Sequence, residues 1–161
     1  MVATAKFPPQ GRRGFGSPFA MQNFSPMPTM TEYLQQANES TLVMVQIETR
    51  EALEAVEEIA PLVDVLFIGP FDLGNNIGHP ILDGTMDSEL HEAIARVLEA
   101  GRKAGTKCGI FCTSPAQAKH YAGQGFHMLS VATDATILQA VVGDAVTAAQ
   151  GRDKVPGPGT Y

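Results

Sequence analysis

The chain has 161 residues, 44% hydrophobic and 17% charged, which is globular composition at the length of one domain. Its formal net charge of −6 argues against a nucleic-acid partner, which calls for a basic face. No apolar run approaches the ~20 residues of a membrane span, and no basic segment leads into an apolar stretch at the start, so no membrane partner is expected and the expected location is cytoplasmic.

Residues 1–30 are rich in Pro, Gly, Ser and Met without a sustained period. They read as a loop region, turn-dense at Gly11-Arg12-Arg13-Gly14-Phe15-Gly16-Ser17-Pro18. A domain is expected over residues 31–150, and a Pro/Gly-rich tail over 151–161. Thr31 is placed to cap a short helix through Tyr33, Leu34 and Ala37. Residues 42–48 form a β-branched apolar run of strand length. Thr49 then suits an N-cap, with Glu51 in the first turn and Ala52, Leu53, Val56 and Ile59 at helical spacing; Pro61 ends that helix.

A second buried strand is expected over residues 63–68, closed by Gly69-Pro70. A loop is expected from Leu73 to about Met86, punctuated by Gly74, Gly78, His79-Pro80 and Asp83-Gly84. Asp87 opens a longer helix with Leu90, Ile94, Val97 and Leu98 on one face, ending near Gly105. Residues 107–112 form the third strand. Ser114-Pro115-Ala116-Gln117 is a helix start with a capping Ser, Pro at the first helical position and Gln three residues after the cap. Gly123 and Gly125 end that helix, residues 127–132 form a fourth strand, and residues 135–149 a last apolar helix.

Cys108 and Cys112 are not in Cys-x-x-Cys spacing. Four residues of strand separate their Cα atoms by ~13 Å, too far for a disulfide, which needs less than ~7 Å. Two free thiols on one strand face, and a reducing compartment, follow.

Apolar strands alternating with helices imply an α/β fold with a helix-covered parallel sheet. An open doubly wound sheet and part of a (β/α)₈ barrel both fit. A whole barrel takes roughly 250 residues and eight strands, so this chain holds about half of one.

Gln46 and Glu48 lie two apart at the end of the first strand and so point to one face. Asp72 lies just past the next strand. Neighbouring strands run ~4.8 Å apart, which brings Glu48 and Asp72 together at the carboxyl rim, where parallel α/β folds place ligands. Two adjacent carboxylates call for a proton or cation between them, and a hard divalent ion such as Mg²⁺ suits oxygen ligands. The plainer alternative is that Glu48 caps the following helix and Asp72 a turn. Arg13, in the glycine-rich loop, is a candidate to meet an anion.

Val45-Gln46-Ile47-Glu48-Thr49-Arg50-Glu51-Ala52 and Phe67-Ile68-Gly69-Pro70-Phe71-Asp72-Leu73 resemble the two metal-site motifs of the HpcH/HpaI aldolases, divalent-metal (class II) enzymes that release pyruvate. Lys6-Phe7-Pro8-Pro9 with the following Gly11–Ser17 stretch, Tyr33-Leu34-Gln35-Gln36-Ala37-Asn38, Gly109-Ile110-Phe111, Ala118-Lys119-His120-Tyr121 and Val131-Ala132-Thr133-Asp134 extend the resemblance over nearly the whole chain. It implies the C-terminal half of a (β/α)₈ barrel of the phosphoenolpyruvate/pyruvate type. It also implies a lyase that cleaves a 4-hydroxy-2-oxo acid to pyruvate and an aldehyde.

By the same resemblance Glu48 and Asp72 hold the ion (Mg²⁺, Mn²⁺ or Co²⁺), Gln46 helps hold the 2-oxo acid, and the amides of Phe71 and Asp72 receive its carboxylate. The metal acts as a Lewis acid that stabilises the enolate. A helix-exchanging dimer or higher homo-oligomer is likewise implied, with the residue 135–149 helix packing on another subunit or, equally, within its own core.

Two departures stand out. Phe71 replaces a residue that is usually small in the family, narrowing the pocket. No segment matches the family's catalytic His or its carboxylate-binding Arg, so no catalytic base is assigned. His79 reads as a solvated loop residue, His91 and His120 lie on helix faces expected to be exposed, and His127 lies at the far end of its strand. Tyr121, Phe126 and Met128 read as core. The competing expectation is a non-catalytic half-barrel that binds metal or oxo acid, or pairs with a full-length relative.

Overall fold

A computed structural model describes residues 1–16 and 29–151 of the chain. Four strands, β1 (Met44–Ile47), β2 (Val65–Ile68), β3 (Lys107–Ile110) and β4 (Met128–Leu129), form one sheet in the order β1-β2-β3-β4, and every pairing is parallel. The helices are α1 (Val2–Ala5), α2 (Met30–Ser40), α3 (Arg50–Glu54), α4 (Val56–Ile59), α5 (Pro70–Ile77), α6 (Ser88–Ala104), α7 (Pro115–Gln124) and α8 (Asp134–Ala149), with a 3₁₀ turn at Ala60–Leu62.

The period-2 alternation of the strands separates two unlike faces. Ile47, Leu66, Ile68, Cys108 and Ile110 point to one side and are buried beneath the helices with Val56, Leu73, Leu90, Ile94 and Val97. On the other side lie Met44 and Met128, 42% and 44% exposed, the exposed Gln46 and Lys107, and the half-buried Val65 and Phe67. A doubly wound sheet would cover both faces. One bare face on a parallel sheet is the inner wall of a barrel that has only half its strands.

Most expected elements form where local chemistry places them. Asp87 caps α6 by accepting from the Leu90 N–H at 2.9 Å, and Ser114 caps α7 by accepting from the Gln117 N–H at 3.2 Å. Thr49 caps α3 through the Ala52 N–H at 3.2 Å.

Several expectations need correction. Residues 1–30 are not all loop, because Val2–Ala5 makes one helical turn; residues 17–28 and 152–161 lie outside the described residues. The cap of α2 is Thr29, not Thr31: Thr29 and Glu32 form a reciprocal capping box. The helix after β1 breaks at Ala55, short of Pro61. The stretch after β2 is not loop from Leu73 onward. It is helix to Ile77, started by Pro70 at its first position and ended by Gly78 in the left-handed region (φ 89°). Gly123 lies inside α7, which ends at Gly125 alone. The strands are shorter than expected, β4 most of all. Tyr121 and Phe126 are core, in edge contact at 5.4 Å, whereas Met128 lies on the bare face.

Candidate functional site

The carboxyl ends of β1 and β2 build a cleft of about 320 Å³ lined by Gln46, Phe67, Gly69, Pro70, Phe71, Asp72 and Phe111. Its floor follows from register. Gln46 pairs with Phe67, Phe67 with Gly109 and Gly109 with Met128, so these four residues form one row on the bare face. Gly109 leaves room for Phe67 to lie across it, since a Cβ there would stand 2.6 Å from Phe67 Cδ2. One step toward the rim come Glu48 and Gly69.

Gly69 is the close-approach point of the site. A Cβ on it would stand 2.8 Å from Gln46 Nε2 and 3.4 Å from Glu48 Oε2. The Gln46 amide and the Glu48 carboxylate therefore converge over Gly69, and Asp72 follows in the first turn of α5. Pro70 has no N–H, and the next two amides, of Phe71 and Asp72, begin a helix and have no carbonyl within it to bond. They form the positive end of α5 at the lip of the cleft.

Neither carboxylate is consumed by a structural task. Thr49, not Glu48, caps α3, and the residue before α5 is Gly69, which caps nothing through a side chain. Among the described residues, no ion pair or hydrogen bond engages the side chain of Glu48 or Asp72. Glu48 is half-buried and Asp72 exposed.

Other expected participants lie elsewhere. Arg13 is not a cleft residue: its guanidinium sits 4.9 Å from the centroid of the Phe7 ring and donates to the Tyr33 hydroxyl at 3.3 Å. His79 is not simply solvated. Its Nδ1 lies 2.7 Å from Asp87 Oδ2 and 4.0 Å from Glu89 Oε2. These three residues group their ligand atoms within 4.8 Å, but at the start of α6, where the helix dipole opposes a cation and Asp87 is already spent as a cap. His91, His120 and His127 are exposed, and none lines the cleft. Phe67 and Phe111 belong to the cleft but were not among the expected site residues; their period-2 relation to Gly69 and Gly109 carried that signal.

Cys108 and Cys112 are free and buried, and burial pushes both thiols above their ordinary range. Nothing in α8 is buried; Leu138 and Val141 are 66% and 60% exposed, so packing of this helix within its own core is not observed.

A parallel sheet with one bare face, and a cleft at its carboxyl rim, define a partial (β/α) barrel. The HpcH/HpaI aldolase/citrate lyase family model matches residues 1–140. The chain belongs to this family.

It is 34% identical over 153 residues to a hydroxypyruvate/pyruvate aldolase of Chromohalobacter salexigens, covering 94% of the chain and 59% of that relative. It is 37% identical over 139 residues to a 4-hydroxy-2-oxo-heptane-1,7-dioate aldolase of Klebsiella pneumoniae subsp. pneumoniae, covering 85% of the chain and 51% of that relative. An HpcH/HpaI aldolase/citrate lyase family protein from Burkholderia cenocepacia superposes with a TM-score of 0.79 at 33% identity over 92% of the chain and 58% of that structure. The chain thus spans little more than half the length of the relatives it matches. Among the described residues no helix is long and apolar enough to cross a membrane.

Proposed function

We propose that the cleft binds a divalent metal ion and a small 2-oxo acid, and that it is the ligand-binding half of an aldolase that cleaves a 4-hydroxy-2-oxo acid to pyruvate and an aldehyde. The observation that carries this proposal is the convergence over Gly69 of an amide and a carboxylate, with a second unpaired carboxylate following in α5. The two carboxylates offer hard oxygens, which fit Mg²⁺, Mn²⁺ or Co²⁺ with water and substrate completing the shell. A Cβ at Gly69 would intrude on that cradle.

Glu48 and Asp72 would hold the ion. When bound, it supplies Lewis acidity toward the 2-oxo group of the substrate. Gln46 donates through Nε2 to the oxo acid. The free amides of Phe71 and Asp72 receive its carboxylate, where the helix end favours negative charge. Phe67, Phe71 and Phe111 exclude water around the reacting carbons and narrow the cleft toward small substrates.

A second reading has its own observation: among the cleft-lining residues there is no His, Lys, Arg or Tyr to move a proton. On that reading the chain binds metal and oxo acid without turnover, and the base comes from a complementary half-barrel. The bare sheet face and the exposed apolar side of α8 favour association, and we propose a homo-oligomer, to be checked by light scattering at micromolar concentration. Two buried free thiols fit a reducing, cytoplasmic setting.

Oxaloacetate decarboxylation with added Mg²⁺, Mn²⁺ or Co²⁺ tests the enzyme. Metal-dependent turnover lost in Glu48→Gln supports it. Metal binding without turnover supports the second reading, and absence of both rejects the two together.

A further inference from the structure

We infer that Arg50 is a positioning residue for this site, setting the spacing between Glu48 and Asp72 by locking the helix that bears one acid to the strand end that bears the other. This rests on the assignment of those two acids as metal ligands. Arg50 touches neither of them. It is the first residue of α3, two beyond Glu48. Its backbone N–H, which has no carbonyl within α3 to bond, donates to Asn76 Oδ1 at 2.7 Å. Its guanidinium Nη2 donates to the Ile77 carbonyl at 2.6 Å. Ile77 is the last residue of α5, where carbonyls lack helical partners and carry the negative end of the dipole. One residue thus ties the start of α3 to the end of α5 through both its backbone and its side chain.

The geometry gives the tie its consequence. The other end of α5 continues directly from Gly69, whose N–H makes a long bond of 3.4 Å to the Ile47 carbonyl. Buried Leu73 and Ile77 keep α5 against the core, but apolar contacts are non-directional and tolerate small rotations. Asp72 stands three residues along the axis from Gly69, or ~4.5 Å at the helical rise. A tilt of about 5° at Gly69 therefore moves Asp72 by ~0.4 Å, twice the ~0.2 Å over which metal–ligand distances stay acceptable. Arg50 and Asn76 hold the far end of this lever.

The test is Mn²⁺ affinity, read as free Mn²⁺ by electron paramagnetic resonance, in Arg50→Ala, Arg50→Lys, Asn76→Ala and Thr106→Val, each shown to be folded by circular dichroism. Thr106 donates from its buried hydroxyl to the Ala60 carbonyl at 2.6 Å and lies just before β3, at the opposite rim, so Thr106→Val is a control for lost stability alone. Arg50→Ala is expected to weaken Mn²⁺ binding about tenfold and Asn76→Ala about threefold. Arg50→Lys recovers part of the loss, and Thr106→Val lowers Tm with unchanged affinity. Should Arg50→Ala fail to fold, the Asn76→Ala and Arg50→Lys pair carries the test. Affinities within twofold of wild type in the folded Arg50 and Asn76 variants overturn the positioning role while leaving the metal site standing, as does an equal loss in Thr106→Val. A wild-type chain that does not bind Mn²⁺ overturns the metal assignment itself, and the inference with it.

Discussion

Replacing Gly69 with alanine is expected to separate the proposed oxo-acid contact of Gln46 from the proposed metal contact of Glu48. Gly69 has φ −99° and ψ 90°, close to the extended region that any residue adopts, so alanine adds no backbone strain. The new Cβ would lie 2.8 Å from Gln46 Nε2 but 3.4 Å from Glu48 Oε2. Favourable contacts begin near 3.5 Å, so the Gln46 amide must retreat by about 0.7 Å while the Glu48 carboxylate stays almost in place. The Gln46 group is the tip of a flexible side chain, so the fold yields cheaply. The lower unfolded-state entropy of alanine offsets part of that cost, leaving a net stability change within about 1 kcal/mol. For a chain of this size that is a Tm shift of about 4 °C at most.

If Gln46 donates to the oxo acid as proposed, losing that hydrogen bond is expected to cost about 1 kcal/mol, a five- to tenfold weaker Kd. Calorimetric titration of pyruvate in saturating Mn²⁺, paired with a Mn²⁺ titration alone, reads both quantities. Weakened pyruvate binding is expected, with Mn²⁺ affinity within about twofold of wild type. Unchanged pyruvate affinity, or Mn²⁺ affinity that falls in parallel, would refute the placement of Gln46 on the substrate and Glu48 on the metal.

Leu66→Ala empties a fully buried position in the middle of β2 and is expected to cost about 3–5 kcal/mol in urea denaturation, as large-to-small core changes do. The Asp87 carboxyl is held below its ordinary value of 3.8 first by the Leu90 N–H it accepts from, with His79 adding to the effect. A depressed folded value gives stability that is present above pH ~4 and disappears as pH falls through the folded pKa. The Tm gap between wild type and Asp87→Ala should therefore be full at pH 6 and close under strong acid; a gap constant down to pH 2 argues against the cap. Burial raises both thiols, so Cys108 and Cys112 should stay unreactive toward Ellman's reagent at pH 8 in the native protein, and both should react in guanidinium.

The order of strands and helices, the caps at Thr49, Asp87 and Ser114, and the rim position of Gln46, Glu48 and Asp72 were legible because each depends on residues close in sequence. The helical nature of α5 was not. Gly74, Asn75 and Asn76 have poor helix propensity and resemble a loop, yet burial of Leu73 and Ile77 outweighs it. Pro70 at the first helical position and Leu73 and Ile77 four apart were the available signals. At α2 the pattern Thr29-x-x-Glu32 marked the true start, one step outside the helical run.

Tertiary facts were beyond any local pattern. The bond of Arg13 to Tyr33, and that of Arg50 to Ile77, join segments far apart in the chain. Hydropathy marked α8 as apolar, but an apolar helix buries its face wherever a partner exists, and within the described residues this chain supplies none.

If Glu48 and Asp72 jointly hold one divalent ion as proposed, Mn²⁺ titration of wild type, Glu48→Gln and Asp72→Asn reads that grip without any substrate present. Both substitutions keep size and shape while deleting one charge. A single site is expected in wild type, with at least a tenfold loss of affinity in each variant, about 1.4 kcal/mol or more. Wild-type affinity retained in either variant would rule out joint coordination by the two carboxylates.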